Sequence, residues 1–189
     1  MRTMALRLAA GSIAAGVLLS GCGGSPEPKP LPKPRESTSP STSATPASPK
    51  PPVMPAAAKA KSKDGAEAFI EHYVQLINYA GANGKTAALR ELSLRTCVKC
   101  EALADGIDKV YAGGGRIIGG GWTVDRVQPY GFARDHYFLD AVIDSAPQQM
   151  VAKTGAPAQR FPGAENRLRA FVLERGSEGW KVSELDPSA

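Results

Sequence analysis

From Phe69 onward the apolar residues first recur at helical spacing and later at every second position. Phe69, Tyr73, Leu76, Ile77 and Ala80 fall on one face of a helix. Asp64-Gly65-Ala66-Glu67 reads as a capping box that starts this helix, with Asp64 at the N-cap and Glu67 three residues on. Gly81 is expected to end it, and Asn83-Gly84 to turn the chain. Residues 86–92 predict a short second helix with Leu89 and Leu92 inward. Residues 97–112 predict a third, with Cys100, Leu103, Ala104, Ile107 and Tyr111 in register, stopped by Gly113-Gly114-Gly115.

Alternation then takes over. Residues 116–127 predict a strand carrying Trp122 and Val124, bent or bulged at Gly119-Gly120-Gly121. In residues 136–144, Tyr137, Leu139, Ala141 and Ile143 alternate with Phe138, Asp140, Val142 and Asp144. Residues 167–175 set Arg167, Arg169, Phe171 and Leu173 against Leu168, Ala170 and Val172. Residues 176–179 turn into a last strand, 180–185, where Trp180, Val182 and Glu184 share a face. Residues 148–154 are a further candidate strand. Helices followed by antiparallel strands predict an α+β domain, with N-terminal helices packed on a curved sheet.

Hydropathy before residue 64 has a different character. Arg2 and Arg7 precede a 12-residue apolar run, 8–19. A helix needs about 20 apolar residues to span a bilayer, so this run reads as a signal peptide. Leu19-Ser20-Gly21-Cys22 resembles the lipobox of bacterial lipoproteins: a branched apolar residue, two small ones, then cysteine. The resemblance implies cleavage after residue 21 and a diacylglyceryl group on Cys22. Two acyl chains suffice for stable anchoring, at about 0.8 kcal/mol per buried methylene. The implied address is the extracytoplasmic face of the cell membrane.

Residues 22–63 read as a disordered tether. The stretch from Ser25 to Pro55 holds 11 of the 16 prolines. Proline at every second position from Pro26 to Pro34 excludes helix and favours polyproline II, at about 3.1 Å per residue. Residues 37–46 are rich in Ser, Thr and Pro and have little to bury. A spacer fits best; docking of the prolines in an aromatic groove and O-linked sugars on the Ser and Thr residues remain open.

The formal charge of +5 changes meaning once it is divided. The tether carries seven basic residues against two acidic, whereas residues 64–189 carry 14 basic and 16 acidic. The domain lacks the basic footprint of a nucleic-acid binder, and the tether suits an anionic membrane or wall surface.

The order of elements resembles the nuclear transport factor 2-like, or cystatin-like, cone, in which a bent sheet curls around a long first helix. With the lipobox, the Pro/Ser/Thr stalk, Cys97-x-x-Cys100 and the two glycine triplets, the chain also resembles a family of actinobacterial lipoproteins of unknown function. That resemblance implies a fold and a location, and no activity.

Candidate chemistry is sparse. Cys97 and Cys100 suit an extracellular disulfide that clamps the start of the third helix. A redox dithiol is a second reading, since a helix N-terminus lowers a thiol pKa, but no strand of a βαβ unit precedes the pair. A metal site is a third, and would need two more ligands such as His72 and His136, whose spacing gives it no support. No cofactor motif is present: the glycine triplets lack the lysine, the Ser/Thr and the flanking strand and helix of a phosphate loop. Tyr73, Tyr111, Trp122, Tyr137 and Trp180 are the candidate pocket residues, with core packing as the competing reading. Asp140 and Asp144 sit opposite the apolar face of their strand, and no catalytic set emerges. A non-enzymatic binding module of the cell envelope, with an unidentified ligand or protein partner, is the leading expectation. The alternatives are a cone-type hydrolase, isomerase or dehydratase, which needs polar groups converging inside the cone, and a thiol oxidoreductase, which needs an exposed Cys97.

Overall fold

The computed structural model describes residues 49–187. The signal peptide, Cys22 and most of the tether lie outside them. A single 3-10 turn, Ala57–Lys59, precedes three helices, α1 (Lys63–Asn83), α2 (Ala87–Glu91) and α3 (Val98–Ala112). Seven strands follow: β1 (Arg116–Gly119), β2 (Trp122–Ala133), β3 (His136–Ser145), β4 (Gln148–Val151), β5 (Gln159–Phe161), β6 (Ala164–Gly176) and β7 (Gly179–Pro187). All pairings between strands are antiparallel. The larger sheet has the order β2-β3-β6-β7, and the smaller has β1-β4-β5. The domain is α+β, as the periodicity predicted.

The α1 helix starts two residues earlier than its sequence suggests. Ser62, not Asp64, is the N-cap, and its Oγ accepts from the Gly65 amide at 3.0 Å. Asp64 instead lies in the first turn, where its charge faces the positive end of the helix. The helix also runs through Gly81 and stops at Gly84, which has φ 66° and donates to the Ala80 carbonyl at 2.7 Å. A β-carbon at Gly84 would stand 2.4 Å from the Tyr111 ring, so glycine is required there twice over.

The predicted stripe of α1 is buried, and so are Ala66, Ile70, His72 and Val74. Two layers cause this wider burial. On one side lies the apolar face of the larger sheet, with Leu139, Ala141, Ile143, Phe171, Leu173 and Val182, all at most 2 % exposed. On the other, residues 49–62 run back along the helix as a strap. Tyr79 donates to the Pro49 carbonyl at 2.8 Å, Ala58 is fully buried, and the Ala60 carbonyl lies against Gly65. The strap is locked further by Trp180 Nε1, which donates to the Ala60 carbonyl at 2.9 Å, and by Arg175, which donates to the Lys59 carbonyl at 3.0 Å. The expected boundary between tether and domain at residues 63 and 64 is therefore corrected: packed chain begins some way before Asp64. Its small and proline-rich composition hid this, because a strap needs few large apolar residues to lie in a groove.

The expected strand 116–127 is two strands in two different sheets. Gly119, Gly120 and Gly121 have φ of 65°, 74° and 103°, a run that only glycine adopts without strain. The chain crosses there from the small sheet to the large one. β2 then continues through Pro129 to Ala133, beyond its predicted end, because it is an edge strand and takes up the proline beside a bulge. In β7 the register slips at Ser183, so Val182 and Leu185 face inward instead of Val182 and Glu184. No helix among the described residues is long and apolar enough to cross a membrane.

Candidate functional site

A cleft of about 420 Å³ opens where the C-terminal half of α1, the middle of α3 and the glycine crossover meet. Its walls are apolar. Ile77 and Ala82 come from α1, Leu103 and Ile107 from α3, and Ile117 from β1. Gly119, Gly120 and Gly121 form one rim, and Trp122 closes it. The polar side chains lining it are Asn78 and Gln148. No Asp, Glu, His, Cys, Lys or Arg lines this cleft.

Asn78 fixes the position of Trp122. Its Nδ2 donates to the Trp122 carbonyl at 2.8 Å, and its Oδ1 accepts from the Trp122 amide at 2.7 Å. This amide pair does the work of a strand neighbour at the point where β2 leaves the glycine run. The ring of Trp122 carries the guanidinium of Arg169 at 5.1 Å from its centroid, a cation–π contact. Arg169 belongs to β6 and Trp122 to β2, so the side chain spans β3, where its direct neighbour is the small Ala141. Burial, and after it the charge of Arg167, lowers the pKa of Arg169.

Of the five candidate pocket residues, only Trp122 lines the cleft. Tyr73 is fully buried in the core, its hydroxyl 2.8 Å from Ser93 Oγ and its ring edge-on to Phe171. Burial pushes its pKa up to about 12. Tyr111 donates to the Gly81 carbonyl at 2.7 Å and backs the helix end. Tyr137 and Trp180 pack edge to face at 4.7 Å, next to Phe132 and the strap, and Trp180 is 3 % exposed. Tyr73, Tyr111 and Tyr137 pack in the framework away from this cleft, whereas Trp180 lines a separate hollow of about 310 Å³ with Met54, Ala58, Leu92 and Arg175.

Cys97 and Cys100 are joined by a disulfide at the start of α3, and each is 2 % exposed. Cys97 is the N-cap of α3, and its Sγ accepts from the Cys100 amide at 3.3 Å. An oxidoreductase needs an exposed attacking sulfur, and neither cysteine provides one. His136 pairs across strands with Glu174 at 2.9 Å. His72 is 2 % exposed with Nδ1 unpartnered, and burial lowers its pKa. Among the described residues no three His, Cys, Asp or Glu side chains gather as metal ligands. Asp144 accepts from the Asn166 amide at 2.8 Å, and Asp140 is half-buried opposite the core face. Near α2, Arg90 bonds Glu101, Asp105 and Asp108, and Thr86 donates to Asp108 at 2.8 Å. The first of these acids belongs to the opening turn of α3, so the cluster pins α2 to α3 along its length.

Sequence reasoning missed Asn78, Gln148 and Arg169 as site residues. The available signal was the placement of Arg169 on the same face of its strand as Phe171 and Leu173. An arginine on an apolar face must find either an anion or an aromatic ring.

Comparison with other proteins places the domain. The signature of DUF6318, a family of unknown function, matches residues 37–186. The chain belongs to the DUF6318 family. The DUF6318 match includes the strap as well as the sheet and helices. No curated protein matches the chain in sequence. Among solved structures, the intermembrane space region of the chloroplast protein ARC6 is similar, at 12 % identity and a TM-score of 0.50. That similarity covers 69 % of this chain and 98 % of the other. A nuclear transport factor 2-like protein with a cystatin-like fold from Novosphingobium aromaticivorans is similar at 14 % identity and a TM-score of 0.35. It covers 61 % of this chain and 76 % of the other.

Proposed function

We propose that this DUF6318 protein is a lipoprotein of the extracytoplasmic membrane face, anchored through Cys22, and that its domain is a non-enzymatic binding module of the cell envelope. The observation that carries the binding reading is the chemistry of the cleft. Its size falls in the roughly 300–1,000 Å³ range of small-molecule sites, and its walls are apolar with a few polar groups. Acid–base catalysis needs titratable side chains converging on one point, and the lining supplies none. The disulfide rests in the framework, where it clamps α3, rather than in an exposed reactive position. The lipobox and the proline-rich stretch support the anchor and the spacing of the domain from the bilayer.

Mass spectrometry of the protein purified from its native membrane tests the anchor. The expected N-terminal peptide begins at Cys22 and carries a diacylglyceryl thioether. A Cys22→Ala variant should leave the membrane fraction. A free thiol at Cys22, or a mature chain still carrying Met1, would overturn the reading.

A further inference from the structure

We propose that the cleft takes a single-chain anionic amphiphile, its apolar chain between α1 and α3 and its carboxylate or phosphate head on Arg169 and Arg167. This inference rests on the binding-module reading and adds the class of ligand to it. Three observations carry it.

First, Trp122 lines the cleft and its ring holds the Arg169 guanidinium at 5.1 Å, so the cation lies one aromatic ring away from an apolar lining that itself contains no arginine. Second, Arg167 and Arg169 lie two residues apart on β6, opposite the inward-facing Ile143 and Ala141, and therefore share the inner face of the sheet. Third, neither arginine has a carboxylate within salt-bridge distance among the described residues; Arg90 and Arg126 are so paired, while Arg95, Arg116, Arg134, Arg160 and Arg175 likewise lack a carboxylate partner. A half-buried guanidinium beside a second cation carries a desolvation cost that a bound anion relieves. Planar guanidinium forks match both carboxylate and phosphate oxygens. Asn78 is engaged by Trp122, and the other polar side chain of the lining, Gln148, is uncharged, so recognition of a charged head falls to the arginines.

The test uses the full mature-length chain with Cys22→Ser, so that no covalent lipid competes. Dodecanoate, dodecyl phosphate and dodecanol are titrated calorimetrically below their aggregation limits. The anions should bind at least about tenfold more tightly than the alcohol, since charge-assisted bonds are the stronger class. The tighter of the two anions names the head group. In Arg167→Gln/Arg169→Gln the preference should collapse, with binding of dodecanol kept. In Ala82→Phe, which fills the cleft from a solvent-exposed helix position, all three should bind more weakly. Matching thermal melts of the variants and the parent exclude misfolding. Equal affinity for anion and alcohol would overturn the ligand class and leave a binding cleft in place. Absence of binding by all three probes would overturn the cleft as an amphiphile site, while the anchor is decided separately by the mass of the Cys22 peptide.

Discussion

Asn78 on α1 holds both backbone polar groups of Trp122, the first residue of β2, through the two ends of one amide. The pair joins the longest helix to the larger sheet at the place where the chain leaves its glycine crossover. It also sets the wall of the cleft.

Replacing Asn78 by leucine removes both hydrogen bonds and leaves a partly buried N–H and C=O without partners. The expected cost is about 1–3 kcal/mol in urea unfolding, the penalty for unpaired buried polar groups. Trp122 emission should shift to longer wavelength as its ring loosens, with the buried Trp180 as internal reference. Unchanged stability and emission in Asn78→Leu would show that the amide pair is incidental.

Much of this architecture was readable in the chain. The stripe of Phe69, Tyr73, Leu76, Ile77 and Ala80 and the alternation of Leu139, Ala141 and Ile143 are direct records of which side meets the core. The cleft was less readable, because it is made by close approach of distant segments. Asn78 looks like an ordinary polar helix residue until Trp122 is placed opposite it. The strap left little hydrophobic signal, since Ala58 and Ala60 act through small size and backbone carbonyls. The three-residue β5 has no pattern long enough to recognise.

The disulfide is a local clamp, and its removal should have a modest effect. The loop between Cys97 and Cys100 is so short that the chain-entropy argument gives roughly 2 kcal/mol. The variant Cys97→Ala/Cys100→Ala should stay folded and lose about that much in chemical denaturation. In the parent, thiol-directed reagents should not label either cysteine before reduction. Loss of the fold in the double variant would mean that the bond organises more than the first turn of α3.

Acid should weaken the domain through His72. Its buried ring prefers the neutral form, so its folded pKa lies below the ordinary value of 6.5. The unfolded chain then binds a proton that the folded chain does not. Stability rises with pH in that window: it is full above 6.5 and falls as pH drops from there towards the lower folded value. Denaturation midpoints measured between neutral and mildly acidic pH should fall in the parent and hold more nearly level in His72→Leu. Equal slopes in the two proteins would remove His72 as the cause.

Truncation should show how much of the domain lies before Asp64. A chain beginning at residue 64 retains every strand and nearly all of α1, but it loses Ser62, the α1 N-cap, and the strap. Trp180 Nε1 and Arg175 Nη2 then have no carbonyl to meet, and Met54 and Ala58 no longer cover the helix. Lost apolar burial and unpaired donors together predict a deficit of about 3–5 kcal/mol against a chain beginning at Pro49. Trp180→Phe in the longer chain removes the N–H together with part of a buried indole, so the loss should exceed about 1 kcal/mol, the share of the hydrogen bond alone. The same variant should be cut faster by protease within residues 49–60, because release of the Ala60 carbonyl frees that end of the strap. Equal stability of the two truncations would mean that the strap lies on the helix without stabilising it.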